Sequence, residues 1–121
     1  MSLKITVHET PNAAVLDLSG RVTLGDALGD LRDSIGEAIA GSQKNILLNL
    51  AEVTYIDSSG LGQLIGTYAT VTNRGGQMKL LNLQQRVNDL MQITKLVTVF
   101  ETYSDEQTAL ASFKSSGKAT A

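Results

Sequence analysis

Two hydroxyls and a carboxylate stand side by side in Asp57-Ser58-Ser59-Gly60-Leu61-Gly62. A serine hydroxyl can act as a nucleophile or accept a phosphoryl group. The first role needs a general base within hydrogen-bond reach. The only histidine is His8, predicted to sit on an edge strand far from Ser58 in sequence, and no Gly-x-Ser-x-Gly elbow surrounds Ser58. Catalysis is therefore not expected. The second role suits the position better, because Asp57 and Ser58 are good helix N-cap types. A helix start presents unpaired N–H groups and the positive end of the helix dipole, which favour an added anion. Gly60 and Gly62 would leave a low surface that another chain can approach. A structural cap alone would not need two glycines, each costing about 1 kcal/mol relative to alanine.

Other chemistries find little support. The chain has no cysteine, so disulfides and thiolate sites are absent. With one histidine and no spaced carboxylate loop, no metal site and no cofactor are expected. A nucleotide-binding module is the nearest alternative, since the turn follows a strand and opens a helix. Yet the Gly-x-x-x-x-Gly-Lys-Ser/Thr pattern is missing, and no lysine lies between Asp57 and Arg74. Ten basic and twelve acidic residues give a charge of −2 with both signs scattered, which argues against direct nucleic-acid binding. No signal-peptide region opens the sequence, and no apolar stretch approaches the ~20 residues of a membrane helix. A cytoplasmic protein that does not enter the membrane is expected.

The elements that must hold this turn follow from hydrophobic period. At 121 residues with 42% hydrophobic content the chain fits one domain with one core, filled by aliphatic residues because aromatics are 4%. Leu3, Ile5 and Val7 alternate with polar residues, and Ala14, Leu16 and Leu18 do so again after Thr10-Pro11-Asn12, predicting an antiparallel hairpin. From Leu24 to Ile39 apolar residues recur at helical spacing, ending at Gly41. Ile46–Leu50 predicts a strand covered on both faces. Leu61, Leu64, Ile65, Tyr68 and Val71 form a second helical stripe closed by Gly75-Gly76, followed by a strand over Met78–Leu83. A shorter helix carries Val87, Leu90 and Met91, and Val97–Phe100 is predicted as the last strand. Ser104 with Gln107 forms a capping-box pattern for a final helix bearing Ala109, Leu110 and Phe113. Lys114–Ala121 is expected to be a flexible tail.

The expectation is one α/β domain over residues 1–113. About four helices would cover a mixed, mostly parallel sheet of about five strands with an antiparallel edge. Whether the helices share one face of the sheet stays open. The segment between the buried strand and the second helix lies where α/β sheets usually dock ligands and partners.

The Asp57–Gly62 motif, with Asn49-Leu50 and Tyr55-Ile56 before it, resembles the signature of bacterial anti-sigma factor antagonists of the STAS domain family. Leu18-Ser19-Gly20, Gly75-Gly76 and Lys79-Leu80-Leu81 match as well, so the resemblance covers nearly the whole chain. It implies binding to an anti-sigma factor that is often also a serine kinase. It also implies phosphorylation at the position of Ser58, release of the partner, and a phosphatase that restores binding. Sigma-factor-dependent transcription would be the regulated process; another STAS-type signalling system is the alternative within the family. Asp57 would orient the acceptor hydroxyl. The expected contact surface comprises Asp57, Ser58, Ser59, Gly60, Leu61 and Gly62, with Thr23 of the Gly20–Gly25 loop and Gln63, Thr67 and Thr70 on the outer face of the helix. Thr23 departs from the acidic residue that many family members carry there. Weak self-association stays open.

Overall fold

The computed structural model describes residues 3–41 and 43–118. Strands β1 (Leu3–Glu9) and β2 (Ala14–Val22) form the expected hairpin, paired from Leu3 opposite Gly20 to Glu9 opposite Ala14. Thr10 closes the turn: its hydroxyl donates to the Ala13 carbonyl at 2.8 Å and accepts the Ala13 N–H at 3.1 Å. Helix α1 (Asp26–Ala40) crosses over to β3 (Ile46–Ile56), and α2 (Ser58–Asn73) crosses to β4 (Met78–Leu81). Helix α3 (Gln85–Ile93), a 3-10 turn (Leu96–Thr98), the short β5 (Thr102–Tyr103) and α4 (Glu106–Lys118) complete the chain. The sheet order is β1-β2-β3-β4-β5, antiparallel only between β1 and β2. This is the mixed α/β sheet with four helices expected from the hydrophobic periods.

The helices divide three to one between the faces. Leu31, Ile35 and Ile39 of α1, Leu61, Leu64 and Val71 of α2, and Val87 and Met91 of α3 pack with Leu16, Leu18, Leu48, Leu50 and Leu80 in the main core. Val15, Leu47 and Leu81 point the other way and meet Ala109 and Phe113 of α4. Opposite parity along one strand serves the two cores, as the period-two pleat requires.

Strand β3 runs six residues beyond the predicted Leu50. It has eleven residues against nine in β2, and the register slips twice, between Asp17 and Ser19 and between Gly20 and Arg21. Each slip leaves one extra residue on β3, a pair of bulges that breaks strict alternation. Asn49 braces the first: its amide donates to Asp17 Oδ1 at 2.8 Å, while its oxygen accepts the Ala51 N–H at 3.1 Å.

The second half departs further from expectation. Val97–Phe100 is not a strand. Lys95 takes a left-handed φ of 67°, a 3-10 turn follows, and Val97 and Val99 remain partly exposed. Only Phe100 turns inward, edge-on to Tyr68 at 5.2 Å. Pairing with β4 passes to Thr102–Tyr103. Leu24 precedes α1 and is 75% exposed, so it does not begin the helix. Asp105, not Ser104, caps α4, accepting the Thr108 N–H at 2.8 Å; a carboxylate is the stronger acceptor. The α4 backbone stays helical from Phe113 to Lys118, and residues 119–121 of the expected tail lie outside the described residues.

Lys79 is buried beneath α4. Its ammonium donates to Ser112 Oγ at 2.8 Å, meets Glu101 Oε1 at 3.0 Å and lies 4.8 Å from the Phe113 ring centroid. Removing the carboxylate should therefore cost more than removing the charge it serves. Glu101→Ala is expected to lower unfolding stability by about 1–2 kcal/mol, discounted because Glu101 is largely exposed. Lys79→Met, which keeps the stem, should cost less in urea titrations.

Candidate functional site

The carboxyl ends of β2 and β3 lie side by side, with Val22 paired to Ile56. Asp57 follows with extended backbone and ends the strand (φ −95°, ψ −178°). Its N–H donates to the Val22 carbonyl at 3.3 Å, and its own carbonyl accepts the Leu61 N–H at 2.9 Å. The side chain works in two directions. Oδ1 accepts the Gly60 N–H at 2.8 Å, which caps α2, and Oδ2 accepts the Leu24 N–H at 3.0 Å. One carboxylate thus binds the start of α2 to the β2–α1 loop. Those donors, Leu24 first and then Gly60, hold the Asp57 carboxyl below the ordinary carboxylate value.

Ser58 is the first residue of α2 and is exposed; Ser59 is half-buried. The Ser58 hydroxyl forms no hydrogen bond among the described residues. The cap is made by Asp57, so Ser58 is not needed for it. Thr23 lies between Val22 and Leu24, both of which bond to Asp57, and this brings the loop against the motif. Gln63 is half-buried on α2, and Asp26 is exposed at the start of α1.

The two glycines differ. A Cβ on Gly60 would run into the Val22 carbonyl oxygen and come within 2.9 Å of Ile56 Cγ2, whereas one on Gly62 would meet nothing within 4 Å. Gly60 is buried, so its missing side chain lets α2 rest on the end of β2 rather than opening a surface to another chain. Leu61 is 8% exposed and faces the core. Thr67 is also internal: it is 3% exposed, and its hydroxyl donates to the helix carbonyls of Gln63 and Leu64, both at 3.0 Å. A helical stripe that includes Leu64 and Val71 also carries position 67 inward, and the self-bonded hydroxyl permits it. Thr70 remains exposed.

His8 is remote from these groups. It pairs with Val15, seven strand positions before Val22, roughly 23 Å at ~3.3 Å per residue. Its Nδ1 lies 3.5 Å from Asp17 Oδ2. The chain therefore forms no serine–histidine pair at Ser58. Sequence reasoning passed over a groove beside the serine, lined by Tyr55, Leu61, Leu90 and Ile93 and about 350 Å³ in volume. Its signal was the apolar Ile93, which falls outside the α3 stripe and is 77% exposed.

Among the described residues, no helix is long and apolar enough to cross a membrane. A five-stranded mixed sheet, with a carboxylate-capped helix opening at its carboxyl edge, defines a small α/β domain. The STAS domain model matches residues 4–109, and the chain belongs to that family. It is 30% identical over 101 residues to the anti-sigma-B factor antagonist of Bacillus subtilis, covering 84% of this chain and 91% of that protein. The crystal structure of an anti-sigma factor antagonist from Mycobacterium paratuberculosis superposes with a TM-score of 0.81 at 23% identity, over 93% of this chain and 95% of that one. The phosphorylated form of the Bacillus cell fate determinant SpoIIAA superposes with a TM-score of 0.67 at 23% identity, over 88% and 96%.

Two outcomes test the geometry. Gly60→Ala is expected to destabilise by about 1–3 kcal/mol through overpacking, and Gly62→Ala to stabilise by up to about 1 kcal/mol through helix propensity; paired denaturant melts read both. A depressed folded-state carboxyl contributes stability above its unfolded value and loses it as pH falls through the folded one. Asp57→Asn should therefore be less stable than wild type at neutral pH. The gap should narrow below pH ~3.9 and close in stronger acid.

Proposed function

We propose that the chain is an anti-sigma factor antagonist whose partner contact centres on Ser58 and is cancelled by phosphorylation there. The observation that carries this reading is the Ser58 hydroxyl, exposed and unengaged at the first residue of a helix that Asp57 already caps. Family membership and the antagonist names of its relatives supply the class of partner. An anti-sigma factor that is also a serine kinase would transfer the terminal phosphoryl group of a nucleoside triphosphate to Ser58 Oγ. The new O–P bond replaces the phosphoanhydride bond, the diphosphate leaves, and the hydroxyl proton passes to the kinase. A phosphatase would reverse the modification by hydrolysis. Both steps belong to the cytoplasm, where we place the chain, and their outcome is control of sigma-factor-dependent transcription.

The switch is electrostatic. A phosphoryl group adds about −1.5 to −2 charge at a position where helix N–H groups accept an anion and the fold tolerates it. At the interface the same group must be desolvated, at several kcal/mol if no cation of the partner meets it. Each 1.4 kcal/mol is tenfold in affinity, so a single modification suffices to separate the pair. Asp57 stays committed to Leu24 and Gly60 and holds the acceptor residue in place; the contact surface takes in Ser59, Gly62, Thr23 and Gln63 and reaches along α2 to Thr70, roughly 18 Å from Ser58. Gly60 and Leu61 act from beneath as supports.

Affinity capture from native extract tests this with wild type, Ser58→Ala and Ser58→Asp. Ser58→Ala should retain a kinase-type partner that Ser58→Asp loses by at least tenfold, while circular-dichroism melts of the three agree. Equal recovery by all three would remove Ser58 from the contact.

A further inference from the structure

The groove beside Ser58 also holds an unpaired cation. Arg86, in the first turn of α3, lines the same 350 Å³ groove as Ser58. It is exposed and forms no ion pair among the described residues. The two carboxylates on this groove are engaged elsewhere. Asp57 accepts the Leu24 and Gly60 N–H groups, and Asp89 accepts the Gln85 side-chain amide at 2.7 Å. The other guanidinium nearby, Arg21, lies over the Tyr55 ring, 5.2 Å from its centroid. Of the two cations, Arg86 is the one with neither a ring nor a carboxylate to bind.

We propose that Arg86 is the intramolecular counter-ion of a phosphoryl group on Ser58, closing a bridge from α2 to α3 across the mouth of the groove. The proposal rests on phosphorylation of Ser58 as read above and specifies what the modified state does. A guanidinium offers two parallel N–H donors that match two phosphate oxygens, and it stays charged throughout the physiological range. Both groups are exposed, so water screens the pair in part, while apolar Tyr55, Leu61, Leu90 and Ile93 share the groove lining beside it. The bridge offsets repulsion from Asp57, which is fixed by its two backbone donors and cannot swing away. It also lays a charged lid over apolar side chains that the unmodified chain leaves accessible, among them Ile93. Phosphorylation would then withdraw the serine and the apolar groove from a partner together, and Arg86 would set how long the modified state stays closed.

The test needs no kinase. Phosphoserine is installed at position 58 during translation of the full chain, and the 31P resonance is followed from acid to neutral pH. The second ionisation of a free phosphoserine lies near pH ~6. Pairing with Arg86 should place the wild-type midpoint below that. Arg86→Gln should raise it by roughly half a pH unit, the size an opposite charge retains after partial screening. Arg86→Lys should recover part of the shift, and Arg21→Gln should leave the midpoint at the wild-type value. Equal midpoints for wild type and Arg86→Gln, with both folded by circular dichroism, would overturn the bridge whatever the capture experiment shows. A shifted midpoint alongside equal capture of Ser58→Ala and Ser58→Asp would leave the bridge standing and remove the partner reading alone.

Discussion

The Asp57 carboxylate holds the site together. Its two oxygens accept N–H groups from residues 33 and 3 positions away, one in the loop before α1 and one in the first turn of α2. Backbone bonds on either side of it, to Val22 and from Leu61, fix the same junction from the main chain. A charged acceptor at a helix start gains from the dipole as well as from the hydrogen bonds. Ser58 follows that junction and is exposed, and Thr23 sits in the loop that the junction ties to Asp57. Asp57 is the carboxylate directly joined to Ser58, and Thr23 of the loop it binds carries no charge.

This arrangement divides labour within a six-residue segment. Asp57 and Gly60 are structural: one ties, the other lets the helix settle against the Val22 carbonyl. Ser58 and Gly62 are free of such duties. The bonds that hold the scaffold here pass through the neighbours of Ser58 and leave its hydroxyl out.

Much of this was legible in the sequence because period and punctuation agree over the first eighty residues. Leu16 and Leu18 alternate inward, the α1 and α2 stripes are long, and the capping residue at 57 is of a strongly preferred type. The extent of β3 was hidden because the first bulge puts Val53 out of step with Leu48 and Leu50 and the second brings Ile56 back into it, which no fixed period can follow. The β-branched run at Val97–Val99 suggested a strand, but the left-handed Lys95 turns the chain and leaves those side chains at the surface. Local propensity spoke for one structure and tertiary context for another. Gly60 illustrates a different limit: a missing side chain looks the same in sequence whether it faces solvent or a carbonyl oxygen. The groove beside Ser58 was invisible for a related reason, since α2 and α3 are brought together only by the crossover through β4.

Helix α4 packs alone against the face of the sheet opposite the other three helices, through Ala109 and Phe113 over Val15, Leu47 and Leu81. A layer with so small an apolar footing is the natural unit of sub-global opening. Its amides would exchange with solvent through partial detachment while those of β2 and β3 wait for the whole molecule to unfold. The motif at residue 57 lies on the other side of that divide, so loosening of the C-terminal helix would leave the helix start and its hydroxyl undisturbed.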